Sequence, residues 1–476
     1  MKAQTAPPHP PVASPPAPAP TAQGPRLEIS LADAVFIGLR DNRTVKSAYV
    51  ARVSQKYDLF VSEQRFHPTA LLTASTQTDR QGHTTSSTLN LNPTVSWLAP
   101  TGAQFQFGWS RLDQHAPGAN QTTDLASFTV TQPLLKGGGL AVNAAPIRIA
   151  ELQERINRLS LKSTVSNTVT SIVVAYRALL QTQEQLVIAR ESLKRSQDQM
   201  RTNQALIDAG RMAAAEIVQT EADIANQQVA LLQAEQQRNS AQLALLRLLA
   251  MDLHTDIVAA DHIEAHHVGI DLDQAITIAL DGRPDYLSQR RSLEQARQSL
   301  MLAKNNRLWD LSLVGSVQHQ SLRGSSAITT TPSAALPDTS GSLGLELRIP
   351  LGDYTLQQGE VQAATTVRTQ EIQLEDLRQQ IEAQVRDAVQ GVELSWRQVE
   401  AARQARDLAK RTLDLEHEKL EAGRASNFEV LTFEANLRAA DTQELSASIS
   451  YLNALTQLDQ QLGATLDTWK VGLNDG

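Results

Sequence analysis

Two kinds of hydrophobic periodicity divide the chain. From about Ala144 to Asp208, and again from about Leu356 to Glu421, apolar residues recur at helical spacing with no proline after Pro146, which falls in the tolerated first turn. Ile172, Leu179, Leu186 and Leu193 repeat every seven residues, and Ile381, Val385, Val392 and Val399 continue such a seam. This spacing predicts coiled-coil-like packing. At 1.5 Å per residue, some 65 residues span roughly 98 Å, so each stripe needs a long partner. Both stretches end on Ala-Gly-Arg, at Ala209-Gly210-Arg211 and Ala422-Gly423-Arg424, and shorter helical patterns follow over about 213–250 and 426–462. A glycine past a helix end can take positive φ and let the chain reverse. Two helical hairpins are therefore predicted, with tips at Gly210 and Gly423. Short amphipathic helices are predicted over about 30–41, 43–64, 271–281 and 284–306.

The second periodicity is two. Leu343, Leu345, Leu347 and Ile349 alternate with Gly344, Glu346 and Arg348; Leu311, Leu313 and Val317 alternate with Ser312 and Ser316. Aliphatics opposite charge fit a strand lying between lipid and water. In the first half, Leu89, Leu91, Val95 and Trp97 alternate with Asn90, Asn92, Thr94 and Ser96, and Phe105, Phe107 and Trp109 with Gln104, Gln106 and Ser110. Phe128 and Val130 form a third such segment, and Thr69 to Thr78 a weaker fourth. Ala99 to Gly102 reads as a short turn, while about 79–87 and 111–123 read as longer polar connections. Gln318 to Gly341, rich in Ser, Thr and Pro, reads as one loop. Four strands are expected from the first half (about 69–78, 88–98, 103–110 and 124–132) and two from the second (about 311–317 and 342–349). The extra hairpin is either membrane strand or soluble flap; as a flap it would leave Trp97 and Trp109 in water. Either way, one chain has too few strands to close the smallest usual barrel of about eight, so the chain must assemble with copies of itself.

The two halves repeat each other. Leu31-Ala32-Asp33-Ala34-Val35 returns as Leu272-Asp273-Gln274-Ala275-Ile276, and Gln132-Pro133-Leu134 is echoed by Ile349-Pro350-Leu351. After the tip glycines the halves align without a gap at an offset of 213, so Glu216 and Glu221 meet Glu429 and Glu434. One unit has been written twice. The expected organisation is a Pro-rich leader over 1–25, a first repeat over 26–262, a second over 263–470, and a tail over 471–476.

Composition narrows the function. The 476 residues carry 43 Lys+Arg against 51 Asp+Glu, a net charge of −8 that argues against nucleic acid as a partner. The absence of cysteine removes disulfides, thiol nucleophiles and thiolate zinc sites. No run approaches the ~18 apolar residues of a spanning helix, and the leader, with nine of the 19 prolines, lacks the apolar core of an export signal. Membrane contact can therefore come only through strands or a surface helix.

With its duplicated Leu-x-x-Ala-[Val/Ile] openings, strand-ending Pro-Leu pairs and paired Ala-Gly-Arg tips followed by Glu-[Ile/Val]-[Val/Leu], the chain resembles the TolC family of outer-membrane efflux proteins over about residues 27–467. The resemblance implies a mainly α fold with membrane β: long antiparallel coiled-coil helices form an α-barrel, and strands enter a shared trimeric β-barrel. It implies a homotrimer in the outer membrane of a Gram-negative bacterium, with a long periplasmic extension. The partners implied are a periplasmic adaptor (membrane fusion protein), an inner-membrane transporter and outer-membrane lipid. The family's usual barrel takes four strands per chain, twelve in all; six per chain would make eighteen. The activity implied is passive conduction through the exit duct of an efflux pump or type I secretion system, with no enzyme chemistry and no cofactor. The alternative is an elongated periplasmic adaptor or scaffold without a membrane barrel.

Carried over by position, Glu429 matches the first acidic place of the family's periplasmic entrance. Thr432 stands at the second, and Glu216 is the internal equivalent. Clustered carboxylates would raise one another's pKa and attract cations. Equally, Glu216 and Glu429 suit the first turn of a helix, where the macrodipole favours acid. Arg211 and Arg424, beside Gly210 and Gly423, either meet an adaptor or cap helix ends. Trp97, Phe105, Phe107, Trp109, Phe128, Leu343, Leu345 and Leu347 are the expected lipid-facing or interface residues. Lys136-Gly137-Gly138-Gly139 lacks the spacing of a phosphate loop and reads as a flexible bend. His254, His262, His266 and His267 read as a solvated linker between the repeats rather than a metal site. Asp33, Asp41 and Asp281 read as ordinary capping or solvent residues.

Overall fold

The computed structural model describes residues 26–326 and 329–473. The expected leader over 1–25 and the last three residues of the expected tail lie outside the described residues. The chain divides into two compact units, one made of 1–41, 171–264 and 402–449, the other of 42–170, 265–401 and 450–476. Each unit draws on both sequence repeats, so the duplication and the packing partition the chain differently.

The first unit is a helical body. It contains β1 (Leu27–Ile29) and α1 (Leu31–Asp41), then the distal part of α3 (Leu140–Asp208), α4 (Ile217–Leu249) and β6 (Ile257–Ala259), and finally the end of α7 (Thr355–Glu421) with most of α8 (Asn427–Leu462). The heptad seam is buried where it was read: Ile172 and Leu179 are fully enclosed and Leu186 nearly so, with Leu193 half-buried. Two features escape pattern reading. β1 pairs in parallel with β6, Leu27 opposite Ile257 and Ile29 opposite Ala259. Tyr176 of α3, fully buried, places its hydroxyl 3.0 Å from the Ile29 carbonyl and 2.7 Å from Asp261 Oδ2, which also accepts from the Leu31 N–H at 2.7 Å. Burial, then the Asp261 hydrogen bond, push the Tyr176 phenol well above its ordinary pKa. The segment joining the repeats is solvated at its histidines, since His254, His262, His266 and His267 are all exposed, but it is anchored between them at Ile257, Ala259 and Ala265. Ile257 is fully buried. In the second unit, Tyr451 donates to the His266 carbonyl at 2.7 Å and accepts from the Val268 N–H at 3.1 Å. A three-residue strand is too short to show a period, which is why the segment reads as linker.

The second unit joins helices to one sheet. α2 (Arg43–Glu63) starts on Asn42, whose side-chain oxygen accepts from Thr44 and Val45 N–H. Arg52, buried, forms a bidentate ion pair with Glu154 of α3. In the second repeat α5 (Leu272–Gly282) and α6 (Pro284–Asn306) meet at Arg283, which reaches Gln384 of α7 at 2.8 Å and Gln461 of α8 at 2.7 Å. The α7 seam residues Ile381, Val385, Val392 and Val399 are buried. A short final helix, α9 (Thr465–Thr468), follows.

The sheet is a six-stranded antiparallel meander in the order β2 (Thr69–Gln81), β3 (Thr84–Leu98), β4 (Gln104–Ala116), β5 (Ala119–Pro133), β7 (Asp310–Ser326) and β8 (Thr329–Arg348). Three expected loops are corrected. The connections 79–87 and 111–123 are strand, closed by the two-residue turns Gly82-His83 and Pro117-Gly118. Gln318 to Gly341 is likewise not one loop, since β7 and β8 remain paired from Asp310↔Arg348 out to Ser326↔Thr329. Over Asp79–Ser87 and Gln318–Ser321 the sequence is polar at successive positions, so alternation disappears while the Ser- and Thr-rich chain keeps its preference for extended structure. Register shifts fall between Gln320 and Leu322 and between Gly324 and Ser326. Pro332 and Pro337 lie on β8 opposite these irregularities, on an edge strand where a missing N–H is tolerated. The Lys136–Gly139 bend is pinned: Asn143 donates to the Gly137 and Gly139 carbonyls at 2.8 and 2.9 Å, and the Gly137 N–H to Asn305 at 2.7 Å.

Tyr176→Phe removes the hydroxyl that ties α3 to β1 and to Asp261. It is expected to cost about 1–2 kcal/mol, read as a lower midpoint for loss of the helical circular-dichroism signal on heating, with the trimer or monomer state unchanged.

Candidate functional site

The sheet carries the first candidate surface. Directly opposed residues of neighbouring strands share a face. Trp97 opposes Phe105 and Val95 opposes Phe107. Phe107 in turn opposes Phe128, which opposes Val317. Leu313 opposes Leu345, Gly315 opposes Leu343 and Leu311 opposes Leu347. All eight residues singled out from the sequence, Trp97, Phe105, Phe107, Trp109, Phe128, Leu343, Leu345 and Leu347, therefore lie on one face. Leu72 and Leu91 lie on it too. Trp97 stacks on Phe105 with ring centroids 4.7 Å apart and donates its indole N–H to the Phe66 carbonyl at 2.9 Å. The other face holds Gln104, Gln106, Ser110, Thr129, Thr131, Ser316, Ser342, Glu346 and Arg348, with an Arg348–Glu346 ion pair at 2.7 Å. The apolar face is open: Leu343, Leu345 and Phe107 are 78, 69 and 49% exposed. A patch of this extent in contact with water is far larger than soluble chains tolerate.

The hairpin tips carry the second. Gly210 and Gly423 both sit at φ +68°. At the first tip the Arg211 N–H reaches the Leu206 carbonyl at 2.8 Å and the Gly210 N–H the Ile207 carbonyl at 2.9 Å; Arg424 to Lys419 and Gly423 to Leu420 repeat both distances. Two matching Schellman motifs thus end the long helices. The Arg211 side chain donates to the Glu421 carbonyl at 2.8 Å, capping the end of α7 from the other repeat. Arg424 is exposed.

Glu429 closes a capping box. Its carboxylate accepts from the Ser426 N–H at 2.8 Å and hydroxyl at 3.1 Å, while the Ser426 hydroxyl faces the Glu429 N–H at 3.3 Å. The backbone hydrogen bond, then the hydroxyl, hold its carboxyl below the usual range. Within one chain, therefore, Glu429 takes the first-turn role. Glu216 ends the 3-10 turn Ala214–Glu216 and is half-buried, and Thr432 is exposed with its hydroxyl on the Phe428 carbonyl at 2.8 Å.

Two buried polar groupings behind the tips have no signature in the sequence. Asn203 of α3 donates to Thr220 of α4 and to Asn427 of α8, both at 2.8 Å; Asn427 donates to Thr220 at 3.1 Å, and Gln199 to Asn203 at 2.8 Å. Asn203, Thr220 and Asn427 are completely buried. This neutral cluster joins both repeats. About two turns further along α8, Glu434 is buried 3.8 Å from His417. Burial pushes its carboxyl up to about 7 against the opposing pull of Arg195 and Arg438, with Asp223 adding to the rise. Scattered Asn, Gln and Thr on long helices read as solvent face; only packing shows that these four converge.

A membrane-compatible sheet and long helical hairpins with paired glycine tips define the class of an outer-membrane channel protomer. The family described as outer membrane efflux protein matches residues 41–251 and 275–464, most of the chain, and the chain belongs to that family. A curated relative, the outer membrane efflux protein BepC of Brucella suis biovar 1 (strain 1330), is 24% identical over 367 residues, covering 74% of this chain and 76% of the relative. Among solved structures, the fold resembles the CmeC outer membrane channel of Campylobacter jejuni (TM-score 0.67, 15% identity, 91% of this chain and 86% of that one). It also resembles the outer membrane protein VceC of Vibrio cholerae (TM-score 0.68, 14% identity, 91% and 96%). A third is the open state of the MtrE outer membrane channel of Neisseria gonorrhoeae (TM-score 0.66, 17% identity, 92% and 89%).

Asn203→Leu removes one hydrogen-bond partner each from buried Thr220, Asn427 and Gln199. It is expected to destabilise the tip by about 2–4 kcal/mol, read as faster proteolytic nicking near residues 210 and 423. The Glu434 carboxyl, raised to about 7 from 4.5, keeps its proton in the folded state where the unfolded chain has lost it. Its contribution is complete below about pH 4.5 and is lost as pH rises towards 7. Glu434→Gln should therefore unfold at the parent's midpoint near pH 4.5 but gain on the order of 2–3 kcal/mol at pH 8. Burial also raises Asp441, so the informative quantity is the difference between variant and parent at each pH.

Proposed function

We propose that the chain is the exit duct of a tripartite efflux pump or type I secretion system. It acts as a homotrimer in the Gram-negative outer membrane, with its helical hairpins in the periplasm. It conducts substrates passively from a periplasmic adaptor and an inner-membrane transporter to the exterior, without covalent chemistry and without a cofactor. The observation that carries this reading is the apolar face, continuous across six strands in register and open over its whole breadth. Family membership supports it. The polar opposite face suits a water-filled lumen, and outer-membrane lipid is the partner that an aromatic and aliphatic face of this size requires. An elongated soluble scaffold would have to cover Leu343, Leu345 and Phe107, and among the described residues of the chain nothing does.

At the tips, three copies would bring Glu429 and Glu216 towards a common axis, six carboxylates in all, with Thr432 weakening the second acidic place. Gly210 and Gly423 serve the reversal itself; Arg424 is the exposed candidate for adaptor contact, whereas Arg211 is engaged in capping α7. Glu429, kept ionised by its capping box, is suited to attract multivalent cations.

The test is a planar-bilayer recording of the detergent-purified chain. A trimer that inserts and conducts ions is expected, with conductance reduced by millimolar multivalent cations. Glu429→Gln should weaken that block. A soluble monomer without conductance overturns the duct, and unchanged block in the variant removes Glu429 from the aperture.

A further inference from the structure

The sheet has two open edges, β2 and β8, and every residue of β2 is exposed. In lipid, unpaired backbone N–H and C=O groups along such edges cost several kcal/mol each, so both must be filled. Natural soluble sheets blunt an edge with charge or a short strand. Here the edges stay long and, on the membrane face, apolar: Ala70, Leu72 and Ala74 on β2, and Leu343, Leu345 and Leu347 on β8. Because the strands alternate in direction along an even-numbered meander, β8 of one copy would meet β2 of the next antiparallel, so the alternation runs unbroken around a ring.

The registers also measure the tilt. A path straight across the sheet runs Ala70↔Val95↔Phe107↔Phe128↔Val317↔Gly341. Ala70 stands one residue inside the end of β2, whereas Gly341 stands seven residues inside the corresponding end of β8. A climb of six residues over five strand steps, at about 3.3 Å per residue and about 4.8 Å per step, is a tilt of about 40°. Closed barrels take roughly 35–45°. The single chain is thus already staggered as a barrel sector.

Resting on the trimeric duct reading, we propose that all six strands of each copy enter the barrel, giving eighteen. β8 pairs with β2 of the neighbouring copy in one register: Ala70 opposite Leu347, Leu72 opposite Leu345, and Ala74 opposite Leu343. That register drops the cross-sheet path by six residues per copy, which corresponds to a ring tilt of about 35°. It also levels the apolar residues of the two edges. At this tilt eighteen strands enclose a backbone diameter of about 34 Å, against about 23 Å for twelve. The membrane section of this duct is correspondingly wide.

The absence of cysteine makes the register directly testable, since any introduced pair is the only thiol pair present. Opposed residues place Cβ atoms within disulfide reach. The full-length chain carrying Leu72→Cys and Leu345→Cys is expressed in the outer membrane, oxidised with copper-phenanthroline and run on a non-reducing gel. The monomer band should be lost to dimer and trimer bands that reductant reverses. Ala74→Cys with Leu343→Cys, an independent pair, should do the same, whereas Leu72→Cys with Gly341→Cys should not. If the β2–β3 hairpin lies outside a twelve-stranded barrel, Phe107→Cys with Leu345→Cys will cross-link instead. That result, or a trimer in which neither expected pair reacts, overturns the eighteen-stranded register and leaves the duct standing. Absence of any trimer by light scattering in detergent overturns the duct reading itself.

Discussion

The structure turns on backbone hydrogen bonding at the edges of one sheet. Six strands satisfy one another internally, and the register runs unshifted through four pairings and the lower part of the fifth, but an open meander leaves one row of N–H and C=O groups on β2 and another on β8. Water can solvate such rows; lipid cannot. The apolar face suits the sheet to lipid, because Trp97, Phe107, Phe128, Val317 and Leu345 share that face and each is exposed. Lipid contact and unpaired edges are incompatible in an isolated chain. In the proposed duct, self-association would supply the missing edge partners independently of any helix contact.

The hairpin tips answer a different constraint. A helix nearly seventy residues long ends with carbonyls that need donors and a chain that must reverse. The paired Schellman motifs satisfy both needs, and Arg211 satisfies one carbonyl of the other repeat as well. Behind the tips the chain gives up apolar packing for Asn203, Thr220, Asn427 and Gln199. Each such group costs more when left alone than it returns when paired, so the cluster penalises any shift that breaks it. The apolar set of Leu413, Leu420, Val430 and Leu437 around it would tolerate sliding far better. Polar groups here make the helix register specific.

What was legible in the sequence follows from length and period. The long helices were expected from 144 and 356 and begin at 140 and 355, both ending where expected, because a seam repeated over many turns averages out local exceptions. The alternation at Leu343–Arg348 and at Phe105–Trp109 is equally plain, since one face there meets lipid and the other does not. The outer parts of the strands, such as Asp79–Ser87 and Gln318–Ser321, are polar on both faces, and a strand with two like faces carries no period. β1 and β6 are three residues each, below any window in which alternation can be counted. The first-turn role of Glu429 is legible from its place after the tip glycine, and Ser426-x-x-Glu429 carries the spacing of a capping box. The convergence of Asn203 with Asn427, separated by 224 residues, depends on how two hairpins pack and leaves no trace along the chain.

Duplication supplies the scaffold twice but the polar chemistry once. At the offset of 213 that relates the repeats, Asn203 corresponds to Glu416, Thr220 to Phe433 and Asn427 to Ala214. None of the three mates can rebuild the amide–hydroxyl cluster: Glu416 instead holds Lys419 at 2.9 Å, and Phe433 packs among aliphatics. Likewise Glu434 is buried while its counterpart Glu221 is exposed. In a ring built from copies, each hairpin has one neighbour inside its own chain and one in the next. The neutral cluster occupies the first kind of junction, and the pseudo-equivalent residues leave the second without it. Duplication thus leaves the buried amide–hydroxyl cluster as a feature of the packing within one chain.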